Sequence, residues 1–420
     1  MGCPKLPAIA AGAALLAVAA TGAHGQDGSY ADNPDIFRDG YKVDWVPASA
    51  ELPGERASED FGLPFKVDWS LSLRGAYQHD NAGDHYQALL VPQGSLTRVF
   101  ERGQLSATGE AELGKLSGDT LRLDALRLAI AGDYRLDNLT TTSGSIGLSR
   151  AQDSILNAAA DVAQTPVVTA LSSEGTVTRQ FGKFSIALRG SFGRTVYEPT
   201  TLTDGTLRDN AYQTTTWFGG GLRAGWEATP ILTVFTDASL QRNLFDGASP
   251  SVGVKTDNYD AALRVGVAGK WQDRLEAEVS GGLGFVRYDD ASLSEATSTL
   301  YDASLTYRPD ETIAIRGAFS TAFVPPSSEV ASTRVEYAAT LDASYQINAW
   351  LALRANAAWS QVRRTDGTEP DTSYGLGVGA DYALNRHTTL TADYAFAHTE
   401  DYPDPARDAH RVTVGVTFKK

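Results

Sequence analysis

In a chain of 420 residues, 42% hydrophobic and 9% aromatic side chains exclude a disordered protein, which lacks the apolar surface to fold. A net charge of −15 argues against nucleic acid as a partner. Beyond the first 25 residues there is no run of about 18 apolar residues, which excludes a transmembrane helix.

Residues 1–25 read as a secretory signal. Lys5 supplies a basic start, Ile9 to Ala20 a short apolar core, and Ala23-His24-Gly25 a small-residue cleavage site. The mature chain is expected to begin near Gln26. Cys3 and Met1, the only residues of their kinds, lie inside the signal, so no disulfide and no thiol nucleophile are expected in the mature protein. Residues 26–65 are polar and rich in Pro and Asp, as in a periplasmic extension or a small plug. Tyr41-Lys-Val-Asp-Trp45 is echoed by Phe65-Lys-Val-Asp-Trp69, which leaves an extra edge strand open.

From residue 66 to 420 apolar and polar residues alternate with a period of two, the mark of β-strands with two unlike faces. The segments lie at about 66–77, 85–100, 103–113, 120–134, 138–150, 166–180, 183–195, 211–227 and 230–242. They continue at 254–271, 273–288, 295–308, 312–324, 333–347, 349–363, 372–384, 388–399 and 408–419. That predicts about 18 strands, with 16 as the alternative. Segment 120–134 needs a bulge between Leu123 and Leu126 to keep its apolar residues on one face.

The connections alternate in kind. Tight ones such as Phe181-Gly182 and Gln272-Asp273 interleave with longer ones such as Glu198 to Asn210 and Asp246 to Gly253. A secreted soluble sandwich has no reason to sort its loops by parity, whereas an outer-membrane barrel has short periplasmic turns and longer extracellular loops. The faces agree. Leu351, Leu353, Ala355, Ala357 and Trp359 oppose Ala352, Arg354, Asn356, Ala358 and Ser360, a small and wet set. Aromatics of the apolar face gather near the tight turns: Trp69, Tyr134, Phe184, Trp226, Trp271, Tyr307, Tyr345 and Tyr382. A second group, Tyr77, Phe323, Trp359 and Phe396, lies towards the longer loops. Two aromatic bands are expected where a barrel meets the two membrane interfaces. The predicted fold is an all-β, transmembrane, antiparallel up-and-down barrel.

Repeated strands of the kind Gly377-Val-Gly-Ala-Asp-Tyr382, the signal and the Asp/Pro lead-in resemble bacterial outer-membrane barrels of the β-barrel porin type 2 family. The resemblance covers residues 66–420 and implies export of a polysaccharide across the outer membrane. A general diffusion porin and a non-transporting surface or structural barrel stay open. Many such barrels end on an aromatic assembly signal; here Phe418 is followed by Lys419 and Lys420. Both termini are expected to be periplasmic, with the last strand pairing with the first. The expected partners are outer-membrane lipid and lipopolysaccharide, the barrel-assembly machinery and a periplasmic polysaccharide-export protein.

About 18 strands enclose more space than side chains fill. Glu110, Arg127, Glu174, Arg189, Arg223, Arg264, Glu278, Asp302, Arg316, Asp342, Arg354 and Asp393 lie on the inward set about five to nine residues from the tight turns, with Asp381 slightly nearer the rim. Opposite charges on neighbouring strands, such as Asp302, Arg316, Asp342 and Arg354, fit cross-strand pairs that stiffen the wall. They also fit an eyelet that selects by charge. Residues 151–164 look like a helical connection with Ser154 as cap. His79, Asp80, Asp84 and His85 flank one outer loop, and His387, His398 and His410 stand alone. No nucleophile elbow, zinc spacing or phosphate loop accompanies them, so neither enzyme activity nor a metal or cofactor is expected.

Overall fold

The computed structural model describes residues 65–80, 83–116, 122–152, 162–164, 166–272, 274–324, 333–364, 370–400 and 406–420. The expected signal, nearly all of the 26–65 extension and its Tyr41–Trp45 repeat lie outside them. The first strands are β1 (Lys66–Asp80), β2 (Gly83–Phe100), β3 (Gly103–Leu116), β4 (Arg122–Arg135) and β5 (Thr140–Gln152). A short β6 (Val162–Gln164) precedes β7 (Val167–Phe181) and β8 (Phe184–Tyr197), and two more short strands follow, β9 (Thr200–Leu202) and β10 (Leu207–Arg208). Next come β11 (Thr215–Thr229), β12 (Leu232–Phe245), β13 (Asn258–Trp271), β14 (Leu275–Tyr288) and β15 (Ala296–Tyr307). The last are β16 (Ile313–Val324), β17 (Arg334–Gln346), β18 (Leu351–Arg364), β19 (Asp371–Asn385), β20 (Thr388–Glu400) and β21 (Arg407–Lys419).

Eighteen of these strands form one antiparallel sheet. Each pairs with the next long strand in sequence, and β21 returns to β1 with Leu71 opposite Phe418 and Tyr77 opposite Val412. The sheet is therefore a closed barrel without a free edge, which answers the hazard of an apolar terminal strand. The 18 segments read from alternation correspond one to one with these strands.

Alternation fixes which side each residue takes. On β13, Leu263, Val265 and Val267 are exposed outwards while Arg264 between them is 7% exposed. The same holds around the barrel, where Leu188, Val279, Leu376, Val378 and Val414 are among many exposed apolar side chains. Water would not tolerate so continuous an apolar surface, and a bilayer requires it. On β4 the expected bulge occurs: Ala125 faces Glu112, but Leu123 faces Leu113, so Asp124 is the extra residue.

One rim carries tight turns, such as 101–102, 182–183, 230–231 and 386–387. Gly182 takes φ 64° there, which a side chain would oppose. The other rim carries 198–214, 246–257 and 289–295, although its β1–β2 connection is short.

Three findings differ from the sequence reading. First, the expected helix over 151–164 begins and ends as strand. Residues 151–152 belong to β5, and β6 pairs with β9, which pairs with β10, as a small separate sheet; residues 153–161 lie outside the described ones. Ser154 and the run of alanines on which the helix expectation rests are among those residues outside the described ones. Second, β15 and β16 pair only from Asp302–Ser320 down to Tyr307–Ile315, leaving their loop-rim halves apart. Third, Phe323 is not on the lipid face. Its ring lies where a side chain on Gly284 would be, against Leu300, both of which belong to the inward sets of β14 and β15.

Candidate functional site

The inner wall is built from the residues between the lipid-facing ones. The belt residues all take inward positions, and most meet an opposite charge. Arg127 Nη1 lies 2.8 Å from Glu110 Oε1 on the adjacent strand, and Arg189 Nε lies 3.3 Å from Glu174 Oε1. Arg316 is the direct cross-strand partner of Asp342. Arg354 lies 2.9 Å from Asp381 and 2.8 Å from Asp393.

Several pairs skip strands, which adjacency in sequence does not foretell. Arg264 on β13 reaches Asp302 on β15 at 2.7 Å. The expected Asp302–Arg316 neighbour pair is therefore replaced: in the register Asp302 faces Ser320, and Arg316 faces Thr306. Arg223 on β11 donates to both oxygens of Glu278 on β14 at 2.9 and 2.7 Å. It spans that distance by lying over the Phe235 ring, 3.6 Å from its centre. Phe235 in turn lies where a side chain on Gly266 would be. Likewise, a Cβ on Gly379 would stand 2.1 Å from Asp393 Oδ1 and 3.2 Å from Arg354 Nη2. Inward glycines thus leave the room through which long arginines cross one or two intervening strands.

Among the described residues, charges partnered in this way form no cationic ladder. The pairs are partly screened by the wet interior, so their role is to stitch the wall more than to add stability. Near the loop rim a second set escaped the sequence reading. Asp124, the bulge residue, accepts from Gln87 at 2.7 Å and from Arg122 at 2.7 Å. Arg334 lies 3.9 Å from Asp371, and both are buried. Trp217 points inward over Gly193. Inward charge away from mid-height and inward aromatics were the available signals.

The interface aromatics Trp69, Trp226, Trp271, Tyr307, Tyr345, Trp359 and Tyr382 all stand exposed on the outer surface, as does Phe418. At the loop rim, His79 Nδ1 lies 2.7 Å from Asp84 and His398 Nδ1 2.7 Å from Asp408; His410 Nδ1 lies 2.9 Å from the Tyr394 hydroxyl. His387 contacts the Lys419 carbonyl at the opposite rim. Among the described residues no cluster of three or more His, Cys, Asp or Glu could hold a metal ion.

A closed barrel with lipid-facing leucines and valines outside and a polar, charge-paired lumen inside defines an outer-membrane β-barrel porin. Residues 74–420 match the family described as "Putative beta-barrel porin 2", and the chain belongs to that family. No curated protein matches the chain. Among solved structures, OpdL of Pseudomonas aeruginosa is similar at 11% identity over 85% of this chain and 98% of its own, with a TM-score of 0.42. The outer membrane protein opdK of Pseudomonas aeruginosa gives 10% identity, 84% and 99% coverage and a TM-score of 0.42. A copper transporter, OprC, gives 11% identity, 85% and 80% coverage and a TM-score of 0.45. Likeness at this level concerns barrel architecture alone.

Proposed function

We propose that the chain is a conduit that exports a polysaccharide across the outer membrane of a Gram-negative bacterium. The observation that carries this reading is the lumen lining. Most of its charges are paired in the wall, and many other inward residues are small or hydroxylated, such as Ala314, Ala318, Ser320 and Ser360, beside the inward rings of Trp217 and Phe235. Such a surface exchanges hydrogen bonds with a polymer rich in hydroxyl groups without holding it by net charge. The family resemblance supports the same cargo. In this reading the tight-turn rim and both termini are periplasmic, where an export protein can dock, and the longer loops face outwards with lipopolysaccharide around them. Phe418 serves as the assembly signal. The paired belt favours the stiffening role over a charge-selecting eyelet.

A general diffusion porin is the second reading, favoured by the small inward residues Ala314, Ala318, Ala322, Gly375 and Gly379. The two separate in one pair of measurements. Deleting the gene is expected to remove polysaccharide from the cell surface and leave polymer in the periplasm. Unchanged surface polysaccharide, together with small-solute currents from the purified protein in planar bilayers, would sink the export reading and leave the porin.

A further inference from the structure

The loop-rim ends of β16 and β17, Thr321–Val324 and Thr333–Tyr337, do not continue the cylinder. Above the Asp302–Ser320 pair, β16 leaves β15. Across the parting the Tyr301 amide donates to Thr321 Oγ1 at 3.3 Å, in place of a backbone carbonyl. Phe323 lies against the inward-facing Leu300 and over Gly284 on β14, so the hairpin end has passed to the lumen side of its neighbours. Thr333 confirms the displacement: its hydroxyl bonds the Tyr288 hydroxyl on β14 at 2.6 Å, across the width of β15 and β16. Val335, the direct partner of Phe323, is buried although its alternation puts it on the lipid set; Leu300, Val286 and Tyr288 are buried too. The wall here is two sheets deep, with an apolar layer between them.

The same residues suit a second arrangement. Extending the existing register would set Tyr301 opposite Thr321, Leu300 opposite Ala322 and Thr299 opposite Phe323. Phe323 would then join Ile313, Ile315 and Phe319 on the lipid face, as its alternation dictates. The tucked arrangement gains apolar burial and the Tyr288–Thr333 bond; the zipped one gains backbone pairing, which a bilayer rewards. Packed layers stand about 10 Å apart, so tucking removes about that depth from the lumen.

We propose that the β16–β17 end is the gate of this conduit, tucked when narrow and zipped to β15 when wide. This rests on the conduit reading above. The test places a Thr299→Cys and Phe323→Cys pair in a Cys3→Ser background and records channels in planar bilayers. In the tucked arrangement the two side chains lie on opposite sides of the sheet; in the zipped one they are direct partners and can bond. An oxidant is expected to crosslink the folded barrel and to raise conductance by about twofold, as a layer about 10 Å deep leaves the pore, with reversal by reductant. No crosslink in folded protein, or a crosslink with unchanged conductance, overturns the gate. A second variant, Tyr288→Phe, removes one neutral hydrogen bond and is expected to raise the open fraction about fivefold; an unchanged open fraction overturns it even if the cysteine pair does not fold. Channels that ignore both changes reject the gate alone, whereas absence of channels in every variant and in the wild type rejects the conduit itself.

Discussion

Arg354 shows how much one residue's reach depends on what its neighbours lack. Its guanidinium serves Asp381 and Asp393 because Gly379 leaves the intervening strand bare. Gly379→Ala is expected to break the Asp393 arm, since the added carbon would sit on the carboxylate oxygen. Arg354→Ala would go further and free both carboxylates, adding negative charge to the lumen. The expected outcome is a reversal potential shifted towards cation preference in a salt gradient, with Gly379→Ala giving a smaller shift of the same sign. A turn residue offers a simpler case outside the membrane. Asp310 accepts from the Thr312 hydroxyl at 2.7 Å and from the Thr312 amide at 2.8 Å, and these bonds hold its carboxyl below the usual range. A lowered folded pKa means that its contribution is present above the ordinary carboxylate range and lost as pH falls through the folded value. The amide resonances of Thr312 and Ile313 should therefore titrate with an acid-shifted midpoint, and should stay flat in Asp310→Asn.

Strands were legible because their signal is local. A period of two requires no knowledge of partners, and the bulge at Asp124 followed from the need to bring Leu123 and Leu126 to one face. β13 gives the sharpest test of facing. Val265→Arg is expected to destabilise the barrel by about 2–4 kcal/mol, the weight of a charge at the bilayer midplane. The same change at Ala318, exposed to the lumen, should stay within about 0.5 kcal/mol. Urea unfolding in liposomes separates the two, and equal losses would refute the assigned faces. At the described ends of 151–164 strand stands where helix was expected, because propensity cannot weigh the pairing of Val162 with Leu202, forty positions later. Phe323 was misread for a related reason: its alternation is correct, but the loop-rim end of its strand has passed to the lumen side.

At the scale of the molecule, closure rests on the seam between β1 and β21. Its ladder continues past Phe418, where the Lys420 amide donates to the Trp69 carbonyl at 3.1 Å. Phe418 stands exposed on the lipid side, the position that the proposed assembly-signal role requires of its ring. Phe418→Ala is expected to lower the amount of barrel reaching the outer membrane while the purified protein refolds normally in detergent. A refolding defect equal to the cellular loss would assign the residue a structural role instead.

Sequence by itself determined the number of long strands, the face of most residues and the two kinds of rim, because all of these follow from spacing along one chain and the demands of a bilayer. Only the tertiary structure decided which arginine meets which carboxylate, because those pairs cross one or two strands through spaces that glycines leave. It also decided that the β16–β17 end lies inside the wall, a choice between apolar burial and backbone pairing that the alternation serves equally well.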